Sequence, residues 1–242
     1  MINLVKAELF KLRKEKSTWI ILLVIILSNT ISILTGVYSS AENAFFSMAK
    51  DIMVMLLSIA VYSGVSLFRD FQNRTIIHYV VGGLKRSYII AALYIRYFMG
   101  CLILIFAYPF ICTLIAGAIK GYENAFFFSI GQMLKVVIMG VPLYACFISF
   151  YFSIMMIVRQ GVFSMGISIA SSILIVVLTN KLYYGNPARE ESIFRFAPSI
   201  QLQVITNGVL SIDYLVSVIF SLIVLLVAFL GASYSFRKAE LK

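Results

Sequence analysis

The sequence predicts an all-α integral membrane protein with six membrane-spanning helices. Hydrophobic residues make up 62% of the 242 residues and charged residues only 12%, whereas soluble domains are near half apolar and a quarter charged. Apolar runs of about 20 residues, the length that a helix needs to cross the hydrocarbon layer, recur along the chain. The shorter alternating blocks that are typical of a transmembrane barrel do not occur.

Six apolar runs have the length of a span. They cover residues 18–37, 52–68, 97–119, 136–158, 162–178 and 214–236. The connections on the predicted outer side are short except for residues 179–213, which are too polar to span and too apolar to float free in water. We expect that segment to form two short helices that dip into the outer leaflet. Pro109 and Pro142 lie inside the third and fourth spans and should kink or weaken them.

The basic residues predict the orientation of the spans. With an even number of spans both termini lie on one side, which then holds thirteen Lys and Arg residues against five on the other side. Positive residues favour the cytoplasmic side, so both termini are expected in the cytoplasm and the chain in the cell membrane. Membrane topology and anionic lipid, rather than nucleic acid, account for the net charge of +10. Arg96 and Lys135 lie near span ends, from which long basic side chains can snorkel to the interface.

Residues 1–17 form a separate element before the first span. Ile2, Val5, Leu9 and Leu12 recur at helical spacing, and basic residues flank that stripe. The pattern predicts an amphipathic helix that lies on the inner leaflet. A charged tail that only fixes the topology is the alternative.

The chain carries no pattern that is typical of catalysis or of ion-coupled transport. HExxH, GxSxG and P-loop motifs are absent, and the carboxylates that we place on the topology avoid the middle of the spans. We therefore expect no enzymatic activity and no directly bound cofactor or metal. Small residues that repeat every four positions favour close packing, either inside the bundle or at a seam between two copies. They are Ser164, Ser168 and Ser172 in the fifth span and Gly231 and Ser235 in the sixth.

Residues 69–87 are a polar interruption on the predicted cytoplasmic side. Thr75 is expected to cap a short helix over residues 76–81, and Gly82 to end it in a left-handed conformation. Ser87 is expected to cap the helix that follows. The segment also contains the single histidine, His78, which we expect to be an interfacial packing residue.

The short helix predicted over residues 76–81 would leave an apolar surface in a cytosolic loop. Ile76, Ile77, Tyr79 and Val80 would contribute to that surface. It would suit docking into a groove of a soluble partner. The alternative is a helix that lies back on the inner leaflet.

Several stretches together resemble permease subunits of type-2 ATP-binding-cassette (ABC) transporters. The stretch "FRDFQNRTIIHYVVGGLKRSYIIAALYIRY" is similar to the family's segment after the second span, in which an acidic residue, a polar-Thr-Ile step, a short helix and a basic residue before Ser or Thr occur in order. Where the family often has a Lys and a Pro, this chain has Arg96 and Gly82–Gly83. The stretches "LVKAELFKLRKEKSTW", "FAPSIQLQ" and "FRKAELK" resemble the family's amphipathic connecting helix, its helices before the last span and its ending.

The resemblance implies one permease domain over residues 1–242, paired with a second permease subunit and with ABC ATPase subunits that bind the ATP. Residues 69–87 would then form the coupling segment. The resemblance assigns the coupling contact to Asp70, Arg74, Thr75, Ile76, Ile77, His78, Tyr79, Lys85 and Arg86. Small members of the family often export peptides or confer immunity to antimicrobial peptides, so we expect export of an amphipathic or hydrophobic substrate. The alternative is a stand-alone membrane transporter or scaffold protein without an ATPase partner.

Overall fold

The computed structural model describes residues 2–73, 75–124, 126–185, 187, 192–205 and 212–238. Most of these residues are helical, which confirms the predicted all-α fold. The helices are α1 (Ile2–Lys14), α2 (Lys16–Leu34), α3 (Ala41–Lys50), α4 (Ile52–Gln72), α5 (Thr75–Val81), α6 (Arg86–Lys120), α7 (Phe126–Val158), α8 (Gly161–Tyr184), α9 (Pro198–Ile205) and α10 (Ile212–Lys238), together with a 3-10 helix at Ile193–Phe196.

Six of the described helices, α2, α4, α6, α7, α8 and α10, are long and apolar enough to cross a membrane. The prediction of six spans is therefore confirmed. Helices α6 and α7 contain 35 and 33 residues, so the predicted third and fourth spans cover only their later parts. Both helices continue through Pro109 and Pro142.

Helices α4 and α7 form the centre of the bundle. More than half of the span residues of α4 and α7 are buried, whereas only 17% are buried in α10 and 28% in α2 and α8. The outer surfaces of α2, α8 and α10 are apolar and exposed. In a bilayer such surfaces are solvated by lipid chains, so their exposure costs nothing there.

Helix α3 occupies a connection that the sequence predicted as a short loop. The Ser40 hydroxyl accepts a hydrogen bond from the Asn43 N–H and caps the helix. Phe45 and Met48 are buried, and the helix packs against α6. Because its ten residues are too few for a span, a search for long apolar runs cannot detect it.

The predicted pair of short helices between the last two spans is present as the 3-10 helix and α9. In α9, Ile200, Leu202 and Ile205 are buried, and the helix contacts α7, α8 and α10. The helix is thus packed among the spans rather than laid on lipid. Residues 186, 188–191 and 206–211 of this connection lie outside the described residues.

The connections gather at two ends of the bundle. The α1 end contains α1, α5 and the α7–α8 turn, where Arg159 Nη2 donates to the Ser235 carbonyl at 3.1 Å. The α3 end contains α3, the α6–α7 connection, the 3-10 helix and α9. There the Ala41 N–H donates to the Gly121 carbonyl at 3.1 Å. The loops predicted to share a side therefore lie together.

Helix α8 packs closely against α4 and α7. Gly64 and Gly161 allow the approach to α4, since a Cβ atom on Gly64 would lie 2.6 Å from Met165 Cβ. Toward α7, Ser164 Oγ lies 2.9 Å from Met155 Sδ. The Ser172 hydroxyl is hydrogen-bonded to the Tyr151 hydroxyl at 2.6 Å. The fifth-span serines therefore line a contact inside the chain.

We predict that Gly64→Ala destabilises the bundle by about 1–3 kcal/mol, because the added methyl group overpacks the α4–α8 contact. The matched control is Gly166→Ala on α8, where a Cβ atom meets nothing within 4 Å. The control should not lose stability, since Ala favours a helix over Gly. Unfolding by SDS in mixed micelles, followed by circular dichroism, measures both variants. Equal stabilities would refute the close packing at Gly64.

At the α3 end, hydrogen bonds to the Glu42 side chain link α3 to the α6–α7 connection and the start of α7. The Glu42 carboxylate accepts hydrogen bonds from the backbone N–H groups of Glu123 and Asn124 at 3.0 and 3.1 Å and from the Ser129 hydroxyl at 2.6 Å. Burial acts to raise the pKa of Glu42, but these hydrogen bonds outweigh it and lower the pKa below its usual value.

Stability should therefore depend on pH through Glu42. A lowered folded-state pKa stabilises the protein above the unfolded carboxyl value of about 4.3. That contribution is lost as the pH falls through the folded value. Thermal unfolding of the parent and of Glu42→Gln, measured from neutral pH down to about pH 3, checks this. The parent should lose more stability on acidification, and parallel curves would contradict the assignment.

Candidate functional site

A group of four charged residues and one tyrosine lies at the α1 end, where four helices meet. Three of the charged side chains are buried, and the other two residues are partly exposed. Glu8 and Lys11 come from α1, Asp70 from the end of α4, Tyr79 from α5 and Arg96 from α6. We call these five residues the anchoring cluster. Its members join segments that are far apart in sequence, and they include two residues of the predicted coupling segment.

Arg96 is the centre of the anchoring cluster. Its side chain is only 3% exposed. Nη1 donates to Glu8 Oε2 at 2.8 Å, and Nη2 donates to the Asp70 carboxylate and more weakly, at 3.5 Å, to the Ser66 carbonyl. A buried charge is tolerated when it is paired and hydrogen-bonded. The guanidinium therefore holds α1 and α4 to α6 through two carboxylates.

Tyr79 and Lys11 extend the anchoring cluster to α5. The Tyr79 hydroxyl donates to Glu8 Oε1 at 2.5 Å and accepts from Lys11 Nζ at 2.8 Å. Lys11 Nζ also lies 2.7 Å from Glu8 Oε1 and 3.8 Å from Asp70 Oδ1. Two cationic groups thus face two carboxylates, and the four charges balance.

The surroundings of Lys11 and Tyr79 shift their pKa values. Burial acts to lower the pKa of Lys11, but hydrogen bonds to Glu8 and Tyr79 and the charges of Glu8 and Asp70 raise it overall. Burial, followed by the hydrogen bond to Glu8, raises the pKa of Tyr79. Lys11 is therefore held charged and Tyr79 neutral, which keeps each in the form that makes these hydrogen bonds.

An aromatic stack lies beside the anchoring cluster. Tyr62 donates to Glu15 Oε2 at 3.3 Å, and its ring stacks on Tyr97 with centroids 5.6 Å apart. Gly100 makes room for Tyr62, since a Cβ atom at that position would lie 2.1 Å from the Tyr62 hydroxyl. The stack packs α4 against α6 at Tyr97, the residue that follows Arg96.

The structure corrects the interpretation of Arg96 as a snorkelling residue. Lys135, interpreted in the same way, is exposed, whereas Arg96 is buried between α1 and α4. Glu8 was not predicted from the sequence as a site residue. The sequence does contain a signal for Glu8, because Leu4, Glu8 and Leu12 follow at intervals of four and so share one face of the helix. All three residues are buried in the structure. A carboxylate on the buried face of an amphipathic helix indicates a buried partner.

Helix α5 is close to the predicted segment but differs at its ends. Thr75 is its first residue rather than its cap, and Lys85 rather than Ser87 precedes α6. The left-handed glycine is Gly83, with φ of +79°, and not Gly82. The Gly83 N–H donates to the Val80 carbonyl and the Leu84 N–H to the Tyr79 carbonyl. This is a Schellman motif, which requires the left-handed residue two positions after the last helical one.

The apolar residues of α5 are less exposed than the sequence analysis supposed. Ile76 is only 2% exposed and belongs to the core, while Tyr79 is turned toward α1. His78 is exposed, and Val81 is 81% exposed. One face of α5 is therefore fastened to the bundle, and the other face is open.

The other predicted coupling residues flank α5. Asp70 is buried in the anchoring cluster, Lys85 is exposed, and Arg86 Nη1 donates to the Phe236 carbonyl at 3.4 Å. Arg74 lies outside the described residues.

The remaining predicted positions lie in the sixth span. There Gly231 is exposed, and the Ser235 carbonyl accepts a hydrogen bond from Arg159. Among the described residues no group of three His, Cys, Asp or Glu side chains could hold a metal ion.

Comparisons with known proteins identify no family. The sequence matches no family model, and a search of the curated proteins finds no match to it.

We predict that Arg96→Met destabilises the protein by about 3–5 kcal/mol, because it leaves the buried carboxylates of Glu8 and Asp70 with only Lys11 to balance their two charges. Adding Glu8→Gln and Asp70→Asn should restore much of the loss, since all three buried charges are then removed and the remaining charge, on Lys11, is partly exposed. Lys135→Met is the matched control and should change stability little. Unfolding in mixed micelles measures each variant. If Arg96→Met is as stable as Lys135→Met, the cluster does not hold the helices together.

Proposed function

We propose that the chain is the membrane-spanning permease subunit of an ABC transporter that exports an amphipathic or hydrophobic substrate, with a peptide as one candidate. Energy would come from a separate ATPase subunit, and a second permease subunit would complete the transporter. Two observations support the proposal. One is the family resemblance of the sequence, and the other is the open face of α5 at the α1 end. The chain itself would hydrolyse no ATP.

The two faces of α5 support this proposal. His78 and Val81 are exposed on a helix of seven residues that is too short to span a membrane, and Gly82, which follows it, is exposed too. Lys85, just beyond it, is exposed as well. An exposed short helix with apolar and basic residues suits the groove of a soluble partner. In this proposal the α1 end faces the cytoplasm, in agreement with its excess of basic residues.

The anchoring cluster supplies a route by which α5 could act on the spans. Tyr79 ties α5 to Glu8 and Lys11 of α1, and Arg96 ties Glu8 to α6 and Asp70 of α4. A partner that displaces α5 would therefore also pull on α1 and on the two spans α4 and α6. An isolated loop helix, connected only by its chain ends, would transmit less of that motion.

The proposal predicts that Val81→Asp abolishes binding of the ATPase and stimulation of its hydrolysis by substrate, because the new charge opposes burial in an apolar groove. The ATPase is identified as a co-purifying chain with a Walker A P-loop. Val81 suits the experiment because it is 81% exposed. Ile76 does not suit it, since a charge there would disrupt the core.

Val37→Asp is the control for that experiment. Val37 is 67% exposed and lies at the opposite end of the bundle, so binding and stimulation should persist in this variant. Both variants should insert into the membrane and unfold like the parent. Normal ATPase binding by Val81→Asp would refute α5 as the coupling element. Purification of the parent from its native membrane without a P-loop protein would favour a stand-alone transporter or scaffold protein.

A further inference from the structure

An apolar cavity of about 530 Å³ lies between α7, α8 and α10 near the α3 end. Phe147 and Phe150 of α7 form its inner wall, and Ile175 of α8 and Val224 of α10 form its sides. The 3-10 helix and the start of α9 lie across its end. The cavity shares no lining residue with the anchoring cluster, and the proposed function does not use it.

The packing of the spans explains why this space exists. Helix α7 contacts both α8 and α10, but within the described residues α8 and α10 make almost no contact with each other. At the α3 end, α9 and the 3-10 helix lie between them and contact both. Val216, Phe220 and Val224 line the cavity at successive turns of α10, so it extends along that helix for about 12 Å.

The cavity is continuous with the lipid-facing surface. Ile193, Val216 and Phe220 belong to its lining and are also exposed on the outside of the molecule. The adjoining outer faces of α8 and α10 consist of exposed apolar residues. An empty apolar cavity forfeits the dispersion contacts of its walls, and in a bilayer the molecules at its mouth are hydrocarbon chains.

Among the described lining residues, the hydroxyl groups lie at one end of the cavity. The Ser199 and Thr179 hydroxyls, which are 3.0 Å apart, belong to the lining. Next to the lining residue Phe196, Arg195 Nε lies 3.4 Å from Asp213 Oδ1. Both polar pairs lie near the α3 end, and the remaining walls are apolar. This polarity matches a ligand with one polar end and a long apolar chain.

We propose that the cavity is a binding site for one acyl chain of a membrane lipid. The lipid's head group would lie near the Arg195–Asp213 pair, and its chain would run along α10 against Phe147 and Phe150. The bound chain would complete the packing between α8 and α10, which the protein itself leaves open. The inference is independent of the proposed ATPase partner.

Tryptophan quenching by brominated lipid tests the site. The chain has one tryptophan, Trp19, so Trp19→Phe provides a background without tryptophan. Phe147→Trp then places a reporter in the cavity wall, and the variant is reconstituted in phosphatidylcholine vesicles with or without bromine on the acyl chains. Phe150→Trp, on the same wall, serves if Phe147→Trp does not fold.

Two further positions calibrate the measurement. Val227→Trp lies on the lipid-facing side of α10, where Val227 is 64% exposed, and should be strongly quenched. Phe152→Trp lies on α7 outside the cavity, where Phe152 is fully buried, and should keep its emission. We expect Phe147→Trp to be quenched nearly as strongly as Val227→Trp.

Ala197→Phe should block the cavity, because Ala197 belongs to its lining. Adding it to Phe147→Trp should reduce the quenching to the level of Phe152→Trp. Unquenched emission from the folded Phe147→Trp protein would overturn the proposal, since it would mean that protein or water fills the space. Quenching that persists in the presence of Ala197→Phe would also overturn it, because the chain would then reach the reporter by another route.

Discussion

Arg96 brings a full positive charge into the interior of a membrane protein, and the arrangement of the α1 end depends on how that charge is neutralised. Burying an ion costs several kcal/mol, which only paired and well-placed partners offset. Glu8 and Asp70 provide those partners from two other helices. Because one guanidinium binds both carboxylates, α1 and the end of α4 cannot shift independently of α6 without breaking an ion pair to Arg96.

This constraint distinguishes the α1 end from the rest of the bundle. Among the spans, packing relies on small residues and close contacts, as between Gly64 and Met165, since lipid provides little hydrophobic force between helices. At the α3 end, Glu42 closes a connection by accepting three hydrogen bonds. The anchoring cluster, in contrast, joins a surface helix, a short connecting helix and two spans. That arrangement is the structural basis for proposing that α5 transmits movement.

The six spans could be predicted from the sequence because the length and hydropathy of a span are set by the bilayer and not by the neighbouring helices. The buried parts of the molecule could not be predicted in the same way. Helix α3 is too short for the hydropathy criterion, and Arg96 resembles Lys135 in sequence although one is buried and the other exposed. Their difference depends on Glu8, which lies 88 residues from Arg96. The short helix α5 was predicted from its turn residues, whereas the burial of Ile76 depends on tertiary contacts.

We infer that the anchoring cluster makes α1, α5 and the adjoining spans one mechanical unit. Hydrogen–deuterium exchange of Arg96→Met in nanodiscs, compared with Lys135→Met, tests it most directly because exchange reports local opening segment by segment. We predict that the amides of α1 and α5 lose protection together in Arg96→Met, while those of α3 remain protected. Unchanged protection of α1 in Arg96→Met would contradict the claim.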